Sequence, residues 1–158
     1  MAVKPIPEGY HTLNCSLSVD NASEAIDFYT RAFGARERGR MEGPGGTIAH
    51  AELEVGDSVL MLSDPFPQAS TKPPKELGGT SASLFMYVED VDAAFQQAID
   101  AGATVIMPLD DMFWGDRFGT LADPFGHSWS LATHIEDVPP EEMAERGKAA
   151  MAAMASGS

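Results

Sequence analysis

The sequence predicts an α+β fold in which one strand–helix–strand–strand–strand unit occurs twice. Three features appear in both halves of the chain: a strand-like alternation that runs into a helix, a Gly-Ala pair that ends the helix, and a later hairpin turn. They lie at Val19 and Val88, at Gly34-Ala35 and Gly102-Ala103, and at Gly56-Asp57 and Asp123–Gly126. One such unit has a single helix for two sheet faces, so we expect the two units to cooperate in enclosing the other face.

The first half begins with a predicted strand. From Thr12 to Val19 apolar and polar residues alternate, as in a strand with one buried face, and Leu13 and Cys15 fall on the apolar side. Residues 20–23 include helix-capping types, and apolar residues then recur at helical spacing as far as Phe33. The other elements expected in this half are a strand from near Ala35 and a hairpin with strands over 47–55 and 58–63.

The second half repeats this order. Residues 81–88 alternate like the first strand, and either Asp90 or Asp92 can cap the following helix, which we expect to end near Ala101. Segment 108–113 starts with a proline and is interpreted as a loop. Trp129 falls on the apolar side of the last strand and is expected in the core. The other predicted strands cover residues 104–107, 117–122 and 127–133.

The chain is therefore expected to consist of two modules with short additions. Residues 64–80 contain four prolines and two glycines, which is typical of an irregular linker. The tail begins with acidic residues and prolines and is either a docking helix or a loose tail. The predicted parts are an N-terminal extension over 1–11, a first βαβββ module over 12–63, the linker over 64–80, a second βαβββ module over 81–134 and the tail over 135–158.

Composition limits the classes of partner. The 158 residues carry a formal net charge of −14, which disfavours binding to nucleic acid and to anionic membrane surfaces. The single cysteine, Cys15, cannot form a disulfide within the chain and is expected as a small core residue. No signal peptide opens the sequence and no apolar run is long enough for a membrane span, so we expect a cytoplasmic location.

Four segments carry a resemblance to a known family. They are Ala25-Ile-Asp-Phe-Tyr-Thr-Arg-Ala-Phe-Gly-Ala35, His50-Ala-Glu-Leu53, Gly56-Asp-Ser-Val-Leu-Met-Leu-Ser-Asp64 and Trp114-Gly-Asp-Arg-Phe-Gly119. With the repeated unit and the Asp-Pro-x-Gly turn before the last strand, they resemble the PhnB-like branch of the vicinal oxygen chelate superfamily. That superfamily includes glyoxalase I, bleomycin resistance proteins and extradiol dioxygenases. The resemblance implies that the two modules form a curved, open mixed β-sheet barrel with helices on the outer face, often as a homodimer, around a concave site.

The resemblance also locates the family's metal positions. Metal-dependent members place ligands, typically His or Glu, in the first and last strands of each module. The corresponding residues here are Asn14, Met61, Ser83 and Ser130. Hard cations favour carboxylates, and zinc favours imidazole, thiolate or carboxylate, so these four residues form a poor ligand set. We therefore expect no metal at these positions and predict no cofactor.

Two polar residues of the first hairpin are candidates for chemistry. His50 and Glu52 alternate with apolar residues and should face the concavity. A neutral histidine beside a carboxylate can act as a general base, but a hydrogen-bonded structural histidine gives the same pattern.

The segment before the second hairpin offers a binding candidate. Trp114 lies in a loop beside a glycine, where an aromatic ring can form the wall of a pocket. Arg117 either forms a local ion pair with Asp116 or binds an anionic group of a ligand. The repeat places Arg117 opposite Ile48, which predicts that its side chain lies on the cavity face.

Two functions remain open from the sequence. The first is metal-free binding of a small, partly aromatic molecule in the concave cavity, with Phe85, Tyr87 and Trp114 as aromatic contacts. The second is an enzyme of lyase, isomerase or dioxygenase type that uses His50, Glu52 and Arg117, or a relocated metal. The complete set of predicted ligand-binding residues is Asn14, His50, Met61, Ser83, Phe85, Tyr87, Trp114, Arg117 and Ser130.

Overall fold

The computed structural model describes residues 3–157 and confirms the α+β fold with two modules. The first module comprises β1 (Cys15–Ser18), α1 (Ala22–Phe33), β2 (Arg36–Glu42), β3 (Ile48–Val55) and β4 (Ser58–Ser63). A short helix α2 (Pro74–Leu77) lies in the linker. The second module comprises β5 (Ser83–Tyr87), α3 (Val91–Ala101), β6 (Thr104–Asp111), β7 (Asp116–Ala122) and β8 (Ser128–His134), and α4 (Pro140–Ser156) follows.

Each module forms its own four-stranded mixed sheet. The strand orders are β1-β4-β3-β2 and β5-β8-β7-β6, with the first pair of each sheet parallel and the other pairs antiparallel. Among residues 3–157 these strands form two open sheets, and no closed barrel is detected. β1 and β5 are therefore edge strands, each with one free side.

The two module helices are set by local capping. The side chain of Asn21 accepts a hydrogen bond from the backbone N–H of Glu24 at the start of α1, and Asp90 accepts one from Ala93 at the start of α3. Of the two predicted caps for the second helix, Asp90 is therefore the one used. Gly34 ends α1 in the left-handed conformation, with φ of 64°, which glycine adopts without strain.

One hydrophobic core joins the modules. Helices α1 and α3 pack against each other, and the aromatic side chains of α1 contact the second sheet. The rings of Tyr29 and Phe33 lie 5.3 and 4.3 Å from Trp129, which is 2% exposed, as predicted for a core residue. The Tyr29 hydroxyl also donates a 2.7 Å hydrogen bond to buried Asp123. The core therefore depends on contacts between the first helix and the last strand.

Three local predictions were wrong. β6 continues to Asp111 although 108–113 was predicted as a loop, because this edge strand has a register irregularity between Met107 and Asp110 that accommodates Pro108. β1 is shorter than predicted, and Leu13, before its first residue, is 89% exposed. Cys15 is exposed rather than in the core, because it lies at the free edge of the sheet.

The tail forms the longest helix within residues 3–157. Its Arg146 binds Glu136 at 2.6 Å and Glu142 at 2.6 Å, and a Cβ at Gly147 would lie 3.5 Å from the ring of Phe113. Of the two alternatives for the tail, the docking helix is therefore the one observed. No helix in the described part of the chain combines the length and apolar character that crossing a bilayer requires.

The second hairpin is one residue longer than the first between equivalent paired residues. This difference determines which side chains of β7 lie on the open side of the second sheet. In the first hairpin Leu53 lies opposite Leu60. In the second, Leu121 lies opposite Trp129. Equivalent residues are therefore 69 positions apart in the last strands but 68 apart in the strands before them. Neighbouring strand residues point to opposite faces of a sheet. If a spacing of 69 is applied to β7, each of its residues is therefore assigned to the wrong face.

Candidate functional site

Four aromatic side chains form a continuous surface on the second sheet, which we call the aromatic face: Phe85, Tyr87, Trp114 and Phe118. The rings of Phe85 and Phe118 stack with centroids 5.5 Å apart, and Trp114 meets Phe118 edge-on at 5.7 Å. The alternating residues Leu84 and Met86 pack on the core, so the aromatic face lies on the side away from the helices. Phe85 is 51% and Tyr87 64% exposed, which leaves these rings open to a ligand.

A buried carboxylate holds two of these rings. Asp116, the first residue of β7, is 3% exposed. Its Oδ2 accepts hydrogen bonds from the Tyr87 hydroxyl at 2.8 Å and from the Trp114 indole Nε1–H at 3.0 Å. Its Oδ1 lies 2.8 Å from Nδ1 of His134. The aromatic residues predicted as contacts at positions 87 and 114 are therefore joined through a residue that was not predicted.

The charges around Asp116 shift two pKa values in opposite directions. Burial alone would raise the pKa of Asp116, but the hydrogen bonds from His134 and the two aromatic donors outweigh burial and hold that pKa below its usual value. The hydrogen bond to Asp116, followed by that to Asp137, raises the pKa of His134. The two shifts both favour a charged pair of carboxylate and imidazolium.

The backbone around Trp114 is also fixed. Gly115 has φ of 98°, and a Cβ at this position would clash with the backbone carbonyl oxygen of Glu136. The carbonyl oxygen of Gly115 accepts hydrogen bonds from the backbone N–H groups of Ile135 and Glu136, at 2.9 and 3.0 Å. Glycine is therefore required next to Trp114 for the tail to lie across this loop.

Hydroxyl groups extend the open side of the second sheet beyond the aromatic face. Ser130 lies opposite Phe85 in the strand register, and its Oγ is 3.1 Å from that of Ser83 and 3.4 Å from Oγ1 of Thr120. Ser128 donates to the hydroxyl of Ser83 at 3.3 Å. Two of the predicted binding residues, at positions 83 and 130, thus form a hydroxyl cluster in which each group can exchange donor and acceptor roles.

A cleft of about 880 Å³ runs between the edges of β1 and β5. Asn14 and Ser16 line one wall, and Ser83, Phe85 and Tyr87 line the other. The volume is in the range that accommodates a drug-sized ligand. The Asn14 side chain itself closes a turn, because its amide accepts from the backbone N–H of His11 at 3.1 Å and donates to the carbonyl of the same residue at 2.6 Å.

The predicted pair His50 and Glu52 lies in a separate, charged cluster on the first sheet. Their side chains are 3.2 Å apart, and Glu52 also accepts a hydrogen bond from the Tyr10 hydroxyl. Arg38 lies 4.0 Å from Glu52 and stacks over the Tyr10 ring at 5.0 Å. The hydrogen bonds from Tyr10 and His50 lower the pKa of Glu52. Neither member of the predicted pair contacts the aromatic face.

The predicted orientation of Arg117 was wrong, for the register reason given above. Its guanidinium binds Asp92 of α3 at 2.7 and 2.8 Å and Asp111 at 3.1 Å, so it lies on the helix side of the sheet. The proposed ion pair with Asp116 is also absent, because consecutive strand residues point to opposite faces. With the 68-residue spacing, the cavity-side counterpart of His50 is Phe118.

Comparison with known proteins identifies the family. The family model of the Glyoxalase/Bleomycin resistance protein/Dioxygenase superfamily matches residues 11–131. The chain belongs to this superfamily.

Three known proteins resemble the chain over most of its length. The Mycobacterium tuberculosis protein Rv0887c is 47% identical over 134 residues, which cover 83% of this chain and 79% of that protein. The crystal structure of TioX from Micromonospora sp. ML1 matches with a TM-score of 0.65 and 30% identity, over 79% of this chain and 99% of TioX. A PhnB protein from Bacillus cereus matches in fold, with a TM-score of 0.61 and 24% identity over 78% of this chain and 99% of that protein.

The residues at the superfamily's metal positions do not fit a divalent cation. The Asn14 amide is engaged in its turn with His11, and the hydroxyls of Ser83 and Ser130 bond each other. Met61, on the same side of the first sheet as Glu52, offers only a thioether. Within residues 3–157, no group of three or more His, Cys, Asp or Glu side chains is arranged to hold a metal.

Sequence reasoning missed the residues that organise both clusters. Asp116 was considered only with its neighbour Arg117, and His134 was given no role. Tyr10 lay in the predicted N-terminal extension. Alternation within β7 places Asp116 on the same side as Phe118, which was the one indication available before the strand pairing was known.

Proposed function

We propose that this superfamily member binds a small, flat, partly aromatic molecule on the aromatic face of the second sheet, without the superfamily's metal. The observation that carries the proposal is the exposure of Phe85 and Tyr87 in a patch of contacting rings, two of which donate hydrogen bonds to a buried carboxylate. Exposed apolar patches on a protein surface mark interaction sites. Rings that are already fixed lose little conformational freedom when a ligand stacks on them.

The surroundings favour a ligand with both an aromatic ring and polar substituents. The exposed hydroxyl of Ser83, two residues before Phe85 in β5, can donate to or accept from ring substituents, and the hydroxyl of Ser130, which is 6% exposed, bonds to it. The cleft between β1 and β5 gives an elongated ligand room to continue past the aromatic face, toward Asn14. The residues at the superfamily's metal positions are poor metal ligands. A ligand can instead be recognised by ring stacking and hydrogen bonding, which need no metal.

We also propose that the protein is a cytoplasmic homodimer. The edge strands β2 and β6 would gain backbone partners if a second copy packed against them, and the aromatic face would stay open to a ligand. Sedimentation velocity at micromolar concentration should then give a dimer. A monomer under these conditions would contradict the proposal of a dimer. It would not bear on the ligand proposal, which the ligand panel below tests separately.

One observation favours an enzyme as a second candidate. Glu52 is in contact with His50, Tyr10 and Arg38, and such a convergence of titratable groups on one carboxylate also occurs at catalytic sites. Incubation with metabolite extracts should then consume specific compounds, and His50→Ala should abolish that consumption without changing binding to the aromatic face. If extracts incubated with and without the protein are identical, this candidate fails.

A ligand panel tests the main proposal. Flat heteroaromatic compounds, each paired with a saturated analogue of equal size, are titrated and followed by calorimetry. We expect the aromatic member of a pair to bind more tightly by about ten-fold, the factor that corresponds to a stacking contribution of about 1 kcal/mol or slightly more. Native mass spectrometry of the protein exposed to an extract of its source cells would identify a natural ligand.

Two variants provide the control for this panel. Trp114→Ala removes one of the four rings of the aromatic face and should abolish the preference for flat compounds. Arg117→Ala changes a residue only three positions away, but on the helix side, and should retain that preference. Equal binding of aromatic and saturated compounds by the unmodified protein would overturn the proposal.

A further inference from the structure

Two rings of the aromatic face share one hydrogen-bond acceptor atom. Oδ2 of Asp116 accepts from both the Tyr87 hydroxyl and the Trp114 indole, which come from different elements, strand β5 and the β6–β7 loop. Tyr87 is 64% exposed, so packing against the core does not fix its ring. Tyr87 and Trp114 also contact the rings of Phe85 and Phe118, and the shared acceptor adds a directional constraint on the angle between them.

The other oxygen of the same carboxylate has a partner that carries charge. Nδ1 of His134 lies 2.8 Å from Oδ1 of Asp116, and its Nε2 lies 3.1 Å from Asp137. A carboxylate can only accept, so both ring nitrogens are satisfied only when both carry a proton. The geometry therefore selects the imidazolium form of His134.

The other charges nearby are paired among themselves. Arg146 of α4 approaches the carbonyl of Phe113 in the same loop, but its guanidinium is bound by Glu136 and Glu142. Arg117 lies across the sheet and is bound by two carboxylates there. Among the ion pairs of residues 3–157, the cation that faces Asp116 is His134.

We propose that Asp116 is a positioning residue: it holds Tyr87 and Trp114 in their places on the aromatic face, and His134 is the charge partner that lets it do so. The consequence for ligand binding rests on the proposed function, whereas the positioning itself does not. When His134 loses its proton, Asp116 keeps a buried charge without a cation. This favours hydration of the carboxylate, and water then competes with the Tyr87 and Trp114 donors for Oδ2. Ligand affinity should then fall as pH rises through the titration of His134.

The two tryptophans allow a test that needs no ligand. The indole N–H of Trp114 donates to Asp116, and that of Trp129 donates to Asp123 at 2.9 Å in the core, so the second serves as an internal control. In ¹⁵N-labelled protein, we expect the Trp114 indole resonance to move with pH at the same midpoint as the His134 ring signals. The Trp129 resonance should stay fixed across that range.

Substitution makes the same test sharper. In Asp116→Asn the amide oxygen is a weaker acceptor than the carboxylate, so the Trp114 indole proton should exchange with solvent faster, while that of Trp129 exchanges as before. Asp137→Asn is the matched control, because it removes the other carboxylate from His134 without touching an aromatic donor. It should lower the titration midpoint of His134 and leave the Trp114 proton protected below that midpoint. If Asp116→Asn does not fold, the pH titration of the unmodified protein decides alone.

Binding of a probe separates this inference from the proposed function. Nile red, a flat neutral dye, should bind Asp116→Asn more weakly than the unmodified protein by about ten-fold, the loss expected when a hydrogen bond to a charged group no longer orients the site. If the unmodified protein does not bind the dye but its Trp114 resonance follows His134, the proposed function loses support and the positioning role stands. A Trp114 resonance that ignores both His134 and the Asp116 substitution overturns the positioning role, whatever the dye does.

Discussion

Two buried aspartates in the second module have the same kind of partners and different effects. Oδ2 of Asp123 accepts from the Tyr29 hydroxyl at 2.7 Å and the Trp129 indole at 2.9 Å. Asp116 accepts from a tyrosine and a tryptophan at 2.8 and 3.0 Å. Around Asp123 both rings are buried, whereas the tyrosine bonded to Asp116 is largely exposed. The same hydrogen-bonding pattern therefore stabilises the core in one place and shapes an open surface in the other.

The remaining partners of each carboxylate explain the difference. Oδ1 of Asp123 accepts from the backbone N–H groups of Phe125 and His127, both at 2.9 Å, so this side chain closes the turn before β8. Burial and the adjacent Asp123 carboxylate raise the pKa of Tyr29, which remains a neutral donor. Oδ1 of Asp116 instead faces His134, which can carry a positive charge. The side chains bonded to Asp123 are a tyrosine and a tryptophan, whereas Asp116 also has a histidine partner, so we predict a pH response for the Asp116 network.

The largest effect should come from Asp123→Ala. This change leaves four buried donors without an acceptor: two backbone N–H groups, one hydroxyl and one indole. At about 1–3 kcal/mol for each unsatisfied group, we expect the free energy of unfolding to fall by more than about 5 kcal/mol. Urea unfolding followed by circular dichroism measures this. A loss no greater than that of an exposed substitution would show that the turn, not the carboxylate, joins the modules.

The two tryptophans give the next contrast. Trp129→Ala truncates a core side chain and should lower the free energy of unfolding by about 3–5 kcal/mol. Trp114→Ala removes a half-buried ring from the aromatic face and should cost less than half as much, while it removes the preference for flat ligands. Urea unfolding and the ligand panel are run on both variants. Equal destabilisation by the two changes would mean that the aromatic face is part of the core.

The pH response of Asp116 and His134 follows from their opposite pKa shifts. The pKa of His134 is raised, so its contribution to stability is complete below about pH 6.5 and is lost as pH rises through the folded-state pKa. The pKa of Asp116 is lowered, so its contribution is complete above about pH 3.9 and is lost as pH falls through the folded-state pKa. Unfolding of His134→Gln should therefore differ from that of the unmodified protein most near pH 5–6.

That comparison has a clear control. The difference between the two proteins should shrink as pH rises through the folded-state pKa of His134, because the histidine then loses its charge in the folded chain as well. A difference that stays constant from pH 5 to pH 9 would contradict the charged form of His134.

Much of the fold could be predicted because its determinants are local. The cap at Asn21 and the glycine at position 34 lie within a few residues of the groups they satisfy, and the predicted helix agrees with α1. β6 differed because Pro108 is compatible with an edge strand, and edge position is a property of the sheet rather than of the segment.

The candidate site was harder to predict because its contacts are distant in sequence. Tyr87 and Asp116 are 29 positions apart, and Asp116 and His134 are 18 apart. These contacts depend on strand register, which depends in turn on hairpin length. A difference of one residue between the hairpins moved Arg117 to the wrong face in the prediction and concealed the equivalence of Phe118 and His50. The face of Phe85 was predicted correctly, because the alternation of residues within one strand gives it without knowledge of how the strands pair.

The smallest effect on stability is expected from Arg117→Ala, and it tests the face assignment directly. Hydrogen bonds to Asp92 and then Asp111 raise the pKa of Arg117, but all three side chains are partly or largely exposed, and exposed ion pairs contribute little. The urea midpoint should stay within experimental error, and any small shift should vanish at high salt. Arg117 directly follows Asp116, yet its side chain lies on the other face of β7. Nile red affinity should therefore be unchanged in Arg117→Ala, although it falls in Asp116→Asn. If the two neighbouring substitutions weaken binding equally, the ligand does not distinguish the two faces of the sheet, and the aromatic face is not its site.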